Sequence, residues 1–116
     1  MASQHSCAYR SSEIFIESEN IRRFSKEKDK PSVDNHLSLL EKEFDKMALA
    51  CGMLELATEK ESLKDIRISL GNDQFDKVEM QTRDFEKQVM LKLAKKANDD
   101  KDPLDLVPSR MLDSFR

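Results

Sequence analysis

Four side chains in this sequence could bind a metal ion: His5, Cys7, His36 and Cys51. Together they have the composition of a Cys2His2 zinc site. They lack the close Cys and His spacing that zinc fingers use, so we expect no metal site. Two cysteines also predict no disulfide framework, and Cys51 is interpreted as a small hydrophobic residue of the core. We therefore expect a reducing, intracellular setting, cytoplasmic or nuclear.

Carboxylate pairs are the other groups that could carry chemistry. They recur four positions apart, which places each pair on one face of a helix: Glu41/Asp45, Glu55/Glu59 and Glu61/Asp65. Such pairs hold two metal ions in some helical bundles, but those sites also need a Glu-x-x-His motif, which this sequence lacks. There is also no Gly-rich phosphate loop and no EF-hand loop. We expect no enzyme, no cofactor and no small-molecule substrate.

Charge and hydropathy narrow the classes of partner. The net charge is −3, from 20 basic and 23 acidic residues that are interspersed along the chain. The one basic cluster lies near the end of a predicted helix, where cations complement the helix dipole, and comprises Lys92, Lys95, Lys96 and Lys101. Acidic residues beside it would repel a phosphate backbone, so nucleic acid is not an expected partner. No apolar run approaches the ~20 residues of a membrane-spanning helix.

The elements that would position any site are predicted to be helices. The chain of 116 residues is 38% hydrophobic and 37% charged, and it has only two Gly and three Pro. So few turn residues argue against an all-β fold, and the abundance of Glu, Lys, Leu and Met favours helix. The predicted class is all-α, an antiparallel helical hairpin or coiled coil with an additional N-terminal helix and flexible tails.

An apolar stripe organises the first long helix, which is predicted from about 34 to 70. Its members recur at alternating steps of three and four: Leu37, Leu40, Phe44, Met47, Cys51 and Leu54. This coiled-coil spacing keeps one stripe facing another helix. From Met47 to Ala57 the helix is apolar on nearly all sides, so more than one neighbour must cover it. The stripe then shifts, which indicates a new partner, a bend or a break near 58–62, with Gly52 as a second weak point.

A second long helix is predicted from about 73 to 98. Gly71 suits the left-handed residue that ends a helix, and Asn72 or Asp73 suits the next N-cap. The stripe of this helix has the same spacing and comprises Phe75, Val78, Thr82, Phe85 and Val89. With a turn near 71–73, the two helices form a predicted hairpin over residues 32–98.

The two arms of this hairpin differ in length. At 1.5 Å per residue they would measure ~55 Å and ~39 Å, so Leu37, Leu40 and Phe44 would stand beyond the reach of the second arm. Three elements could pack against these residues and bury them: residues 11–29 folding back, a second copy of the chain, or another protein.

The N-terminal part divides in two. Residues 1–10 are polar and are predicted to be a flexible tail. Residues 11–30 predict an amphipathic helix, capped by Ser11 or Ser12 and carrying Ile14 and Ile21 on one face. Their apolar triplet followed by acids also suits an extended segment that docks on a partner's sheet edge. Pro31 then marks a boundary, after which Ser32 or Asp34 would start the next helix.

The C-terminal tail, residues 99–116, is predicted to carry an apolar docking motif after a charged break. The anchors of this motif are Leu104, Met111, Leu112 and Phe115. Ser109 can cap a final helical turn that clusters the last three anchors. The motif would pack on the hairpin or dock on a partner.

The function that these patterns favour is a non-catalytic protein–protein interaction module. The chain would be a small helical subunit or adaptor that packs its two stripes against helices of other proteins, or against a second copy of itself. The alternative is a small helical chaperone or regulator that masks a helix of one client protein.

Overall fold

Four α-helices form residues 3–100, the part of the chain that this computed structural model describes, with side chains described for residues 7–96. The helices are α1 (Ser3–Lys26), α2 (Lys30–Ala50), α3 (Ala57–Gly71) and α4 (Phe75–Asp100). No strand occurs among these residues, and the predicted all-α class is confirmed. None of the described helices combines the length and the hydropathy that crossing a membrane requires.

The helices run alternately up and down, and α4 returns beside α1. Each helix therefore packs on two neighbours, although α2 and α3 contact each other least. Across the middle of this four-helix bundle, the rings of Phe44 on α2 and Phe85 on α4 meet edge to face, with centroids 5.5 Å apart. Burying one stripe of each helix in a shared centre is what stabilises such a bundle.

Each helix contributes its three-four stripe to this core. The buried members are Cys7, Ser11, Ile14, Ser18, Ile21 and Ser25 on α1; Val33, Leu37, Leu40, Phe44 and Met47 on α2; Leu63, Ile66 and Leu70 on α3; and Val78, Thr82, Phe85, Val89 and Leu93 on α4. Of the three possible covers for the first stripe, the structure shows the first, because α1 folds back along α2. Leu37, Leu40 and Phe44 are therefore covered within one chain.

The N-terminal helix is longer than the sequence pattern indicates. It begins at Ser3, so residues 3–10 are helical where a tail was predicted, and Ser11 lies inside the helix and not at its cap. The predicted boundary near Pro31 corresponds to the turn at 27–29. Asp29 is the N-cap of α2, and its carboxylate accepts hydrogen bonds from the backbone N–H and the hydroxyl of Ser32.

The predicted long helix over 34–70 is two helices separated by residues 51–56. Gly52 adopts a φ of +65°, and the amides of Gly52 and Met53 bond back to the carbonyls of Leu49 and Ala48. This is a Schellman motif, which ends a helix by turning one residue left-handed. The break falls at Gly52, earlier than 58–62, and it lets α3 fold back beside α2.

The same motif ends α1 and α3 without glycine. The left-handed residues are Lys28 at a φ of 57° and Asp73 at a φ of 58°. In each case two backbone amides donate hydrogen bonds to carbonyl oxygens in the last turn of the helix. Gly71, which was expected to be left-handed, is instead the last residue of α3.

A disulfide joins Cys7 on α1 to Cys51 at the end of α2, with a Cα–Cα distance of 4.8 Å. The expectation of two unpaired cysteines is therefore wrong, although Cys51 is buried as predicted, at 5% exposure. The bond closes a loop across 44 residues. Because α1 and α2 are antiparallel and joined by a short turn, their far ends meet where these two residues lie.

The disulfide should stabilise the fold mainly by restricting the unfolded chain. For a loop of this length, the C7S/C51S variant should lose about 4 kcal/mol of unfolding free energy. Urea unfolding followed by circular dichroism measures this difference. Adding a dithiol reductant should lower the stability of the wild-type chain and leave C7S/C51S unchanged. Equal stability of the two proteins without reductant would contradict the bond.

The left-handed positions at Gly52 and Lys28 allow a matched pair of substitutions. Gly52→Ala places a Cβ at a φ of +65° and should lower stability by about 1 kcal/mol. Lys28→Gly relieves the same strain at an exposed position and should raise stability by up to about 1 kcal/mol. Thermal unfolding of both variants tests the assignment, and a shift of the same sign in both would contradict it.

Candidate partner-binding surfaces

The residues predicted to contact partners are divided by the structure between the core and the surface. Within residues 7–96, those that lie in the core, with at most 5% of their surface exposed, are Leu37, Leu40, Phe44, Met47, Cys51, Val78, Phe85 and Val89. Phe75 is half-buried at the start of α4. Helices of this chain cover the core set, so another protein could contact these residues only if the bundle opened. The predicted tail anchors Leu104, Met111, Leu112 and Phe115 lie outside the described residues.

One predicted contact residue, Leu54, is on the surface. Its side chain is 80% exposed in the segment that joins α2 to α3, and Leu49 in the last turn of α2 is 85% exposed. The sequence pattern placed Leu54 on the buried stripe because it continued the heptad past Gly52. Leu49 was visible only as part of the apolar stretch from Met47 to Ala57. We call Leu49 and Leu54 the leucine pair.

An open cleft lined by lysine side chains lies beside Leu54. Residues 52–55 form one side of the cleft, and Lys92, Lys95 and Lys96 of α4 form the other. Lys92 donates hydrogen bonds to the carbonyl oxygen of Glu55 and, at 3.0 Å, to the carboxylate of Glu59. It thereby ties the connecting segment to α4. Three of the four lysines in the basic cluster noted in the sequence thus line a cleft beside the exposed Leu54, which the helix-dipole interpretation did not anticipate. The fourth, Lys101, lies outside the described residues.

A second group of polar side chains lies between α1 and α4. Arg22 Nη1 donates to Glu86 Oε1 at 3.3 Å, and Glu86 is only 4% exposed. Three buried oxygens on α1 and α4 have no hydrogen-bond partner among the described residues: Ser18 Oγ, Thr82 Oγ1 and Glu86 Oε2. A buried polar atom without a partner loses the hydrogen bonds that it makes with water in the unfolded chain. The α1–α4 interface is therefore less favourable than its apolar contacts alone indicate.

The environment of Glu86 alters its ionisation. Burial raises the pKa of this carboxyl to about 7, with a smaller contribution from Glu19. The positive charges of Arg22 and Arg83 oppose the rise. The neutral acid is the form that the fold favours, because a charge is costly to remove from water.

Arg67 joins α2 to α3, the two neighbouring helices that contact each other least. Its guanidinium donates to Asp34 at 2.8 Å, to Ser38 at 3.1 Å and to both carboxylate oxygens of Glu41. The bond to Glu41 is bidentate, the geometry that suits a guanidinium best. The hydrogen bond with Glu41 is the main cause of the raised pKa of Arg67. This group connects the C-terminal half of α3 to the N-terminal half of α2.

Three of the four side chains considered for zinc are engaged elsewhere, and the side chain of His5 lies outside those described. Cys7 and Cys51 are bonded to each other, so neither is a thiolate ligand. His36 Nδ1 lies 2.7 Å from Glu17 Oε1, and its ring stacks on Phe24 with centroids 5.3 Å apart. No group of three or more His, Cys, Asp or Glu side chains converges on a metal position within the described part of the chain.

Comparison with known proteins adds no further constraint: no family model, curated protein or solved structure matches this chain.

The raised pKa of Glu86 predicts a specific pH dependence. The pKa of Glu86 in the folded chain exceeds the ordinary value of 4.5. The neutral carboxyl therefore makes its full contribution to the free energy of unfolding below about pH 4.5, and this contribution is lost as the pH rises through about 7. Glu86→Gln keeps the side chain neutral and should remove this loss. At about pH 8 we expect E86Q to be more stable than wild type by roughly 1–2 kcal/mol, after allowance for solvent screening. Urea unfolding of both proteins across this range measures the difference, and parallel pH profiles would contradict it.

Proposed function

We propose that this chain is a non-catalytic protein–protein interaction module, a small helical subunit or adaptor that binds another helical protein through the leucine pair. The observation that carries this proposal is the exposure of Leu49 and Leu54, at 85% and 80%, on a chain whose heptad stripes are already buried. Burying a leucine side chain contributes about 1.5–3 kcal/mol, so the pair offers a partner a substantial gain.

The surface is held in one conformation before any partner arrives. The Schellman motif at Gly52 and the disulfide at Cys51 restrain one end of the connecting segment, and Lys92 restrains the other through Glu55. A surface that is already ordered loses less conformational freedom on binding. The leucine pair therefore has the character of a preformed anchor.

The positive charge beside Leu54 indicates which side chains a partner would carry. Lys95 is exposed beside Leu54, and Lys96 lies near Gly52 across the cleft. A partner helix with one or two large apolar side chains flanked by Asp or Glu would match both the leucines and the lysines. A second copy of this chain is the other candidate partner.

The compartment remains part of the proposal. An intracellular location was expected from two unpaired cysteines, but the disulfide does not favour the reducing cytoplasm or nucleus, where such bonds are rare. We propose a compartment or a period of the protein's life in which the Cys7–Cys51 bond can form.

The leucine pair gives a direct test. The L49S/L54S variant should keep its helicity and its unfolding temperature, since both side chains are exposed, and should lose partner binding. The matched control is I68S/M80S, which changes two other exposed apolar side chains, at 53% and 57% exposure, on α3 and α4. Cross-linking from position 54 in the cells that make the protein identifies the partner, and quantitative co-purification compares the variants.

Co-purification of the two variants distinguishes between support for the proposal and its failure. A partner that is retained by the control and lost by L49S/L54S supports the proposal. Retention by both variants contradicts it. Light scattering on the purified chain tests self-association, and a dimer that L49S/L54S converts to a monomer would make a second copy the partner. Variants at Leu40 or Met47 cannot replace this test, because both side chains lie in the core and a charge there disrupts folding itself.

A further inference from the structure

The cleft beside Leu54 has one apolar and one basic side. Leu54 is 80% exposed on the first side, and Lys95 is exposed on the second. Lys92 is already bonded to Glu55 and Glu59, whereas Lys95 forms no ion pair with another described residue. Three lysines and one glutamate line the cleft, so its net charge is positive. A ligand that combines large apolar side chains with a carboxylate would match both sides.

A second exposed leucine lies close to the same lysine. Leu91 precedes Lys95 by one turn on α4, and its side chain is 61% exposed. Side chains four residues apart on a helix are neighbours on its surface. Leu54 and Leu91 therefore both provide apolar surface next to Lys95.

The C-terminal residues of the chain begin beside this cleft. The last helix ends at Asp100, five residues beyond Lys95. Pro103 disfavours helical geometry in the residue before it, so we expect the chain to leave the direction of α4 near Asp102. Returning from Asp100 to the level of Lys95 spans about 8 Å, which roughly three or four extended residues cover. Residues 104–107 are thus within reach of both sides of the cleft.

The residues after Pro103 match the cleft in composition. Leu104 and Leu106 are large and apolar, and Asp105 lies between them. In an extended segment, successive side chains point to opposite faces. A segment lying along the cleft could therefore place both leucines against Leu54 and the carboxylate against the lysines. This is the pattern of apolar and acidic side chains that the cleft favours in a partner.

We propose that residues 102–107, the tail segment, occupy this cleft in the free protein, with Leu104 and Leu106 on Leu54 and Asp105 beside Lys95. A partner that binds Leu54 would have to displace the tail segment, which would thereby lower the partner's apparent affinity. This regulatory consequence rests on the proposed function, whereas the contact between the tail segment and the cleft does not.

The covalent connection to α4 makes a weak contact sufficient. A segment joined by a short linker is held near its site at an effective concentration on the order of millimolar. A contact of millimolar affinity would then be formed about half of the time. Ion pairs between exposed side chains contribute little, so the leucines supply most of this affinity and the charges orient the segment.

The same connection favours the chain's own tail over that of a second copy. A second copy carries the same residues, but it presents them only at the total concentration of the protein. Its tail would become the main occupant only at concentrations that approach the effective concentration of the tethered segment. The short distance between the end of α4 and the cleft therefore favours a contact within one chain.

Carbodiimide coupling of the purified full chain tests this contact. The reagent activates a carboxylate, a lysine amine in contact with that carboxylate attacks it, and an amide forms as the reagent leaves as a urea. Digestion and mass spectrometry should find an amide between Asp105 and Lys95 or Lys96 in the monomer. Circular dichroism of each variant confirms that the helices are retained.

Two variants of the tail separate a docked segment from chance encounters. L104S/L106S keeps every charge and the full length of the tail, so chance encounters should give the wild-type yield of amide. Docking instead predicts a yield lower by at least about fivefold, because the apolar contacts are removed. The matched control M111S/L112S changes two apolar side chains further along the tail and should keep the wild-type yield.

Two variants of the bundle test the other side of the contact. L54S should lower the yield as L104S/L106S does. I68S replaces an exposed apolar side chain near the far end of α3, at 53% exposure, and should leave the yield unchanged. An amide in the monomer that L104S/L106S and L54S both lose supports the proposal. Equal yields in all variants, or no amide at all, would overturn it. An amide found only in covalent dimers would overturn it in favour of a second copy.

Co-purification tests the displacement of the tail segment. L104S/L106S should retain at least about threefold more partner than the wild type, because the internal competitor is removed. Equal retention by both proteins would overturn the regulatory consequence. Coupling uses the purified chain without a partner, so the contact can be established even if L49S/L54S retains its partner and the proposed function fails.

Discussion

Four heptad stripes must be buried at the same time, and this requirement shapes the whole molecule. No stripe can be covered by one neighbour alone, so the helices close into a ring with Phe44 and Phe85 in contact at its centre. The ring closes only because the chain turns back after Lys26, after Ala50 and after Gly71. The Schellman motifs at these turns are therefore as important to the core as the apolar side chains are.

The inner faces of the helices differ in composition. The α2 stripe is wholly apolar and meets α4 through a pair of aromatic rings, whereas α1 presents three buried serines and faces the carboxyl of Glu86. The disulfide connects the start of α1 to the end of α2. Ion pairs from Arg10 to Glu43 and from Arg22 to Glu86 add polar contacts between α1 and its two neighbours.

Closure of the bundle also determines what is left for partners. Once the stripes are internal, the large apolar side chains that stay most exposed among the described residues are Leu49 and Leu54. They lie at the α2–α3 connection because Gly52 turns the chain there and carries Leu54 off the stripe. Lys92, Lys95 and Lys96 of α4 line the cleft beside Leu54. The break that completes the core is therefore the feature that creates the candidate binding surface.

The sequence by itself determined the all-α class, the turn after Leu70 and most of the buried residues, because the spacing of apolar residues is a property of each helix alone. It did not determine what covers the stripes, since cover depends on helices that are distant in sequence. The disulfide, the burial of Glu86 and the exposure of Leu54 likewise follow from how α1, α2 and α4 meet. The left-handed Lys28 and Asp73 give no glycine signal, and Gly52 gives only a weak one inside a helical pattern. Tertiary structure decided these points because burial and pairing depend on contacts between helices, which local periodicity does not record.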